Sequence, residues 1–523
     1  MLVLSCNIKP LPATPNRSKI YDTIHESKIL DRKNIPLCVD LDGTVCATDT
    51  LQEAVFALIK KRPSTILAMF LWILRGIPEF KKQVAVRITV EPASLPFRDS
   101  VIAFVRSERE RGRKCFLVTA SRQEIGERFA KHLGCFDEVM GSTDKLNLKG
   151  PKKADALVAR FGEKSFDYVG DHVVDTHVWK HAAGSYVIAT SMSLVAAAEK
   201  LGNVVQVFEV PRMNLNSLRK AVRAHQWAKN VLVFAPAFLG HRFFETAVLV
   251  KSIAAFAGFS LAASSIYIVN DLFDLEADRA HPTKRHRPFA SGAIPAFHGV
   301  MLSIALLVMS LIVSTILGTG FVAIIGSYLL LTTAYTFWLK SVVIADVMML
   351  ACLYTVRLMA GSVATQVVVS PWLLSLSTFF FLSLAFMKRV SELKLVLKKH
   401  HIENRGTTID DLIVKGRDYQ TGDLHLITSL GSASGYISVL VFCLYITSTS
   451  VQTMYSEPDY LWFACPLLLF WLSRAWMITN RGAMHSDPVA FALTDRTSYI
   501  VGALLVFVTM LAMTNPLGIS WRH

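Results

Sequence analysis

The chain has 523 residues, 52% of them hydrophobic and 18% charged, with a mean hydropathy of +0.40. Those values exclude a disordered chain, a collagen-like chain and an ordinary soluble enzyme. Lys and Arg number 55 against 40 Asp and Glu, and the net charge of +15 fits anionic lipid, phosphate-bearing substrates or nucleic acid until the placement of the charges decides. The eight cysteines are scattered, form no CxxC and are expected to be free thiols. Met1–Ser5 is too short an apolar run for a secretory signal.

In chain order, residues 1–34 read as an N-terminal extension, 35–210 as a soluble α/β domain and 211–523 as a membrane domain. Ile35–Val39 is an apolar, partly β-branched run that ends in Asp40-Leu41-Asp42-Gly43-Thr44. It predicts a strand that delivers two carboxylates to its C-terminal end, where α/β sheets place their ligands. Cys115–Val118 is a second strand, ending in Thr119-Ala120-Ser121, and a helix over Pro151–Phe161 carries Lys153. A third strand, Phe166–Val169, ends in Gly170-Asp171-His172-Val173-Val174-Asp175.

Such a convergence fits phosphoryl transfer. Asp40 can attack phosphorus to form an acyl phosphate, and Asp42 can protonate the leaving oxygen. Asp40, Asp171 and Asp175 can hold Mg²⁺, a hard cation that takes oxygen ligands. Thr119 and Lys153 can hold the phosphoryl oxygens, with Lys149 and Lys152 as alternatives for the lysine. His172 is expected at the edge of the site.

These four motifs in this order resemble the haloacid dehalogenase (HAD) superfamily of Mg²⁺-dependent phosphatases, particularly its phosphoserine-phosphatase-like branch. The resemblance implies an α/β Rossmann-like fold with a helical cap at about residues 45–96, Asp40 as nucleophile and Asp42 as acid/base. A relic that keeps only the fold is the competing reading, although no motif residue is missing. Within the cap, Ser64–Leu74 is strongly apolar yet too short to span a bilayer. It reads either as cap core or as a face lying on the bilayer or on the membrane domain.

Further on, apolar runs repeat: Ser252–Val269, Val300–Leu317, Phe321–Trp338, Val342–Met359, Val367–Met387, Tyr436–Thr447, Leu461–Ile478 and Tyr499–Met513, with a weaker one at Val231–Leu239. They predict an all-α polytopic bundle of about nine transmembrane helices. The runs from Tyr436 and Tyr499 need their flanks to span. With the soluble domain in the cytoplasm, the inner loops hold Arg279–Arg287, Lys340, Lys388–Arg417 and Arg481–Arg496. The outer loops near Gly318, Ala364 and Ser450 carry almost no Lys or Arg, as the positive-inside rule requires.

The run Ile266–Val269 leads into Asn270-Asp271-Leu272-Phe273-Asp274-Leu275-Glu276-Ala277-Asp278. Spacings of three and four predict that Asp271, Asp274 and Asp278 share one helical face. Three carboxylates there repel unless a cation joins them, so Mg²⁺ carrying a diphosphate is the natural expectation. Lys284, Arg285 and Arg287 follow at once and suit phosphate oxygens.

NDxxDxxxD followed by KRxRPxxSG resembles the UbiA superfamily of intramembrane prenyltransferases over about Leu218–Asn515. Trp227-Ala228-Lys229-Asn230, Arg285-His286-Arg287-Pro288 and Lys388-Arg389-Val390-Ser391-Glu392-Leu393 look most like its polyprenyl-phosphate phosphoribosyltransferase branch. That resemblance implies Asp271 and Asp274 as catalytic residues, with Asp278 among the metal ligands. Asn270, Lys284, Arg285, Arg287, Lys388 and Arg389 would be substrate-binding, and a lipid-linked isoprenoid phosphate and phosphoribosyl diphosphate would be the substrates. Aromatic prenyltransferases of the superfamily carry a second Asp-rich motif in a later loop. Here that place holds Lys388, Arg389 and Glu392, and Asp418 and Asp423 lack a DxxxD spacing.

Asp346 and Arg357, eleven positions apart on one span, read as cavity-facing or as a structural polar network. Asp487, Asp495 and Arg496 read as site-closing or as solvated loop. The expected whole is a bifunctional enzyme of a bacterial inner membrane with both sites cytoplasmic. The alternatives are an aromatic polyprenyltransferase fused to a phosphatase, and a membrane-anchored phosphatase whose bundle is scaffold. No nucleic-acid role is expected, because inner loops and phosphate sites account for the basic residues.

Overall fold

The computed structural model describes residues 32–88, 90–143, 146–210, 214–403, 417–484 and 487–514. Most of the expected N-terminal extension and residues 404–416 of the expected basic loop therefore lie outside the described residues, while 388–403, expected as loop, continue the helix Pro371–Glu403. The chain divides into two compact units, Met1–Ala221 with Asp271–Val300, and Val222–Asn270 with Met301–His523.

The first unit is built on six parallel strands: β1 Leu37–Asp40, β2 Cys115–Arg122, β3 Glu138–Ser142, β4 Asp167–Gly170, β5 Gly184–Ile188 and β6 Val204–Phe208. Their order is β3-β2-β1-β4-β5-β6. Leu37, Cys38 and Val39 are all fully buried, as a parallel sheet covered on both faces requires. One face packs on Val101, Val105 and Phe129, the other on Leu157, Val178 and Trp179. Strand order reverses between β1 and β4, so their C-terminal ends open a crevice at the switch point.

Between β1 and β2 stand the cap helices Thr50–Lys61, Thr65–Leu74 and Ile77–Arg87. They enclose a small core of Ala54, Leu58, Met69, Trp72, Val84 and Ile88. Asp49 caps the first helix by accepting the Gln52 N–H at 3.0 Å.

Among the described residues, eight helices are long and apolar enough to cross a membrane: Thr246–Phe273, Ala296–Leu317, Thr319–Phe337, Ala345–Thr365, Pro371–Lys398, Thr421–Ile446, Pro458–Asn480 and Arg496–Thr514. The protein is an integral membrane protein. The short runs from Tyr436 and Tyr499 gain their length from Thr421 onward and from Arg496 onward. The weak ninth run does not form such a helix. It falls in a 3₁₀ stretch, Ala224–Phe234, followed by the five-residue helix Ala235–Leu239, where Pro236 cannot donate to a continuing helix.

The second unit packs around aromatic side chains, with Tyr354 stacked on Phe381 at 4.8 Å. A Cβ at Gly431 would fall 2.4 Å from the Trp476 ring, so only glycine lets those two helices approach this closely.

Candidate active sites

Asp40 ends β1, and Lys153 reaches it from the helix Pro151–Phe161, its Nζ 2.9 Å from Asp40 Oδ1. Asp42 accepts the Thr50 N–H at 2.8 Å on one oxygen and the Ser121 hydroxyl at 3.2 Å on the other. The first residue of the cap helix thus aims the expected acid/base. Thr119 is fully buried, and its hydroxyl accepts the Ser121 N–H. Gly43 has φ +77°, and a Cβ there would fall 2.1 Å from Asp171 Oδ2, so the turn after Asp42 needs glycine to admit that carboxylate.

Thr44 donates to Asp171 Oδ1 at 3.1 Å. Asp175 Oδ2 accepts the backbone N–H groups of Asp171 and His172. It thereby fixes the turn after β4. His172 lies exposed at the rim, with Nδ1 accepting the Val174 N–H.

Three participants went unread in the sequence. Tyr168 accepts from Lys153 Nζ at 2.9 Å and donates to Asp175 at 3.2 Å, joining the lysine to that carboxylate. Ser121 orients Asp42. Arg98 donates from Nε to the Gly43 carbonyl at 3.1 Å. Tyr168 is the second residue of an apolar strand, where an aromatic reads as core, and only its hydroxyl could have signalled otherwise.

Asp40, Asp171 and Asp175 each offer an oxygen within 4.8 Å of the others. Three hard carboxylates at that spacing fit a Mg²⁺ that keeps water and phosphate in its remaining positions. Without the cation the electrostatics are strained. Burial pushes Asp40 up to about 7 despite the opposing pull of Lys153. Burial and the neighbouring charges of Asp175 and Asp40 push Asp171 up to about 8. Burial also raises Asp42, with Asp49 adding to the rise. Burial would lower Lys153, but Asp40 and Asp175 hold it above its ordinary value. A divalent cation would offset the mutual repulsion of these carboxylates.

The acidic motif departs from the expected single face. The helix ends at Phe273, and Asp274 breaks it with φ −100° and ψ 11° before the short helix Leu275–Ala280 begins. Asp271 and Asp278 are each 3% exposed and converge on Arg287, whose Nη1 lies 3.0 Å from Asp271 Oδ1 and 2.6 Å from Asp278 Oδ2. Asp274 is half-exposed and pairs with Lys60 at 3.5 Å. The spacing rule presumed an unbroken helix, and the break turns the middle acid away. Two buried carboxylates converging on one cationic nitrogen form a donor set that a divalent cation also fits. Lys284 and Arg285 lie exposed in the turn that follows, and Asn270 is partly buried in the last turn of the helix.

In the second unit Asp487 Oδ2 lies 2.8 Å from Lys229 Nζ and 3.4 Å from Lys388 Nζ. Against the burial that would raise it, these two ammonium groups hold Asp487 at about 2. Asp346 is fully buried and accepts three partners: Arg389 Nη2 at 3.1 Å, Arg417 Nη1 at 3.0 Å and the Tyr335 hydroxyl at 3.2 Å. Arg389, 1% exposed, also pairs with Glu392. Arg357 does not meet Asp346. Its Nε donates to Asn230 at 2.9 Å while the guanidinium lies over the rings of Phe259, Tyr328 and Tyr354. Asp495 pairs with Arg474 at 2.7 Å.

Residues 232–498 match the UbiA prenyltransferase family. The chain belongs to the UbiA prenyltransferase family. Residues 37–180 match the haloacid dehalogenase-like hydrolases, so this UbiA family enzyme also carries a HAD domain. A protein of Sinorhizobium fredii described as uncharacterized protein y4nM is 35% identical over 94% of both chains. The nodulation protein NoeC of Azorhizobium caulinodans is 33% identical over 54% of this chain and 88% of its own. Decaprenyl-phosphate phosphoribosyltransferase of Mycolicibacterium smegmatis is 31% identical over 56% of this chain and 90% of its own.

Proposed function

We propose that the membrane domain, residues 211–523, transfers 5-phosphoribosyl from phosphoribosyl diphosphate to a polyprenyl phosphate. The HAD domain, residues 35–210, then removes the 5-phosphate from the lipid-linked product. The observation that carries the reading is the basic character of the later part of the helix Pro371–Glu403, which stands where a loop was expected. Lys388 and Arg389 occupy the place where aromatic prenyltransferases hold a second Asp-rich motif, and a neutral phenol needs no such charge. The similarity to a decaprenyl-phosphate phosphoribosyltransferase supports the same substrates.

In the transfer step a phosphate oxygen of the polyprenyl phosphate attacks C1 of the ribose. The bond from C1 to the diphosphate breaks, and diphosphate leaves with its electron pair. Asp271 and Asp278 would hold Mg²⁺ on the leaving diphosphate, where the ion would supply charge neutralisation. Arg287 then exchanges its carboxylate partners for phosphate oxygens, joined by Lys284 and Arg285. Lys388, paired with Asp487, is a further candidate for binding phosphate. Arg389 acts mainly through its buried pairing with Asp346, and Asn270 hydrogen-bonds substrate.

In the phosphatase step a carboxylate oxygen of Asp40 attacks phosphorus and the ester bond breaks. Asp42 gives its proton to the departing sugar oxygen, then takes one from the water that cleaves the acyl phosphate. Lys153 and Thr119 hold the phosphoryl oxygens. Asp40, Asp171 and Asp175 would hold the Mg²⁺ that neutralises them. Tethering keeps the product of the first site at high effective concentration near the second. The basic inner loops support placing both sites in the cytoplasm at a bacterial inner membrane.

The test incubates purified protein with phosphoribosyl diphosphate labelled in the ribose, polyprenyl phosphate and Mg²⁺. Label entering the lipid phase is the expected result. No labelled lipid, together with prenylation of 4-hydroxybenzoate from a polyprenyl diphosphate, overturns it in favour of aromatic transfer.

A further inference from the structure

The cap helix Thr65–Leu74 reads TILAMFLWIL and contains no charged residue. Its inner side is spent on the cap core, where Met69 and Trp72 are each 7% exposed. Its outer side is bare: Leu67 is 76% exposed, Phe70 65%, Leu71 59% and Leu74 83%. Positions 67, 70, 71 and 74 form one stripe along a helix, and Ile66 and Ile73 widen it. Left in water, side chains of this size oppose solubility, and such contiguous patches mark contact surfaces.

Two observations say what covers the stripe. The first is charge. Lys61 and Arg62 lie exposed just before the helix, Arg75 just after it and Lys82 on the next one. An apolar face with cations at both ends matches a bilayer surface, where acyl chains meet anionic headgroups.

The second is position. Lys60 Nζ lies 3.5 Å from Asp274 Oδ1, and Asp274 directly follows Phe273, the last residue of a membrane-spanning helix. The apolar helix therefore starts five residues from a contact with the end of a span. The buried ion pair between Glu53 and Arg279 fastens the preceding cap helix to the same segment. Ten helical residues measure about 15 Å, too short to cross the hydrocarbon and long enough to lie along its boundary.

We propose that the outer face of Thr65–Leu74 lies in the boundary between headgroups and acyl chains, with the flanking cations on anionic lipid headgroups. The phosphatase is thereby presented to phosphate esters carried on membrane lipids. The docking stands on the helix alone, while the substrate class rests on the phosphatase reading of Asp40 and Asp42.

The test uses the full chain in nanodiscs of phosphatidylethanolamine and phosphatidylglycerol, with p-benzoylphenylalanine in place of Leu71 or, as a control, of exposed Glu110. After irradiation, mass spectrometry should find phospholipid adducts at 71 and none at 110. Adducts at neither position, or a cross-linked dimer through 71, overturn the docking. In vesicles, L67E/L71E should lower kcat/KM for a polyprenyl-linked phosphate monoester by about tenfold or more. Hydrolysis of p-nitrophenyl phosphate should stay unchanged, and an unaltered rate on the lipid ester also overturns the proposal. If the parent protein fails to hydrolyse p-nitrophenyl phosphate, the phosphatase reading fails while the adduct result still decides the docking.

Discussion

Glu53 and Arg279, 226 positions apart in the chain, meet as a buried two-pronged ion pair with contacts of 2.6 and 3.0 Å. Glu53 sits one turn beyond Thr50, whose N–H aims Asp42, and Arg279 directly follows Asp278. The pair joins the helix that orients Asp42 to the residue after the acidic motif. Arg279 also donates to the carbonyls of Ala290 and Ser94, and the Phe297 N–H donates to Gln52. Arg279→Met leaves a carboxylate buried without its partner and should cost about 3 kcal/mol or more. A fall in Tm of the full chain in detergent checks this. Glu53→Gln combined with Arg279→Met should cost less than the sum of the single changes. Strict additivity would contradict the coupling.

Tyr168 is the one hydroxyl bonded to both Lys153 and Asp175 among the described residues. Tyr168→Phe keeps the ring in the core and removes only that link. Phosphatase kcat should fall by about tenfold with KM little changed, because the lysine is held less well against Asp40. An unchanged kcat would reduce Tyr168 to a packing residue.

Magnesium binding at the phosphatase site should depend on pH. Asp40 and Asp171 are raised to about 7 and about 8 without the metal, so near neutrality they hold protons that Mg²⁺ must displace. The sign follows: apparent affinity should rise as pH climbs from about 6 to about 8, by up to about tenfold per unit for each proton released. Calorimetric titration in buffers of different ionisation enthalpy would count the protons. Affinity that is flat with pH, and no proton release, would contradict the burial argument.

Much of the candidate site in the HAD domain was legible because its residues are local features: carboxylates at strand ends, a lysine at a helix start, a glycine after the second aspartate. The rule that reads helical faces from spacing failed at Asp274 because it presumes continuity. What fixes the remaining charges is long-range. Asp346 finds Arg389 43 positions away and Arg417 71 positions away, so its polar network is made with other segments and not with Arg357 on its own span. Arg389 read as a phosphate ligand from its motif, yet it is spent on Asp346 and Glu392. Glu53 carried no signal at all, since a lone glutamate on a cap helix reads as solvated surface. The apolar stretch in the cap was visible, but only its burial pattern separates the two residues that fill the core from the six that face outward.

Asp271 and Asp278, brought together on Arg287, should be indispensable to transfer. Asp271→Asn and Asp278→Asn should each lower incorporation of labelled ribose into lipid by at least about a hundredfold. Retention of most of the activity in either variant would move the metal away from this pair.

The account turns on two reactions performed in sequence on one lipid. The most direct measurement is mass spectrometry of the lipid products that the parent and Asp40→Asn proteins make from phosphoribosyl diphosphate and polyprenyl phosphate. The parent should yield polyprenyl-phosphoryl ribose, and Asp40→Asn the same lipid heavier by one phosphate. A dephosphorylated product from Asp40→Asn, or no ribose on the lipid from either protein, would contradict it.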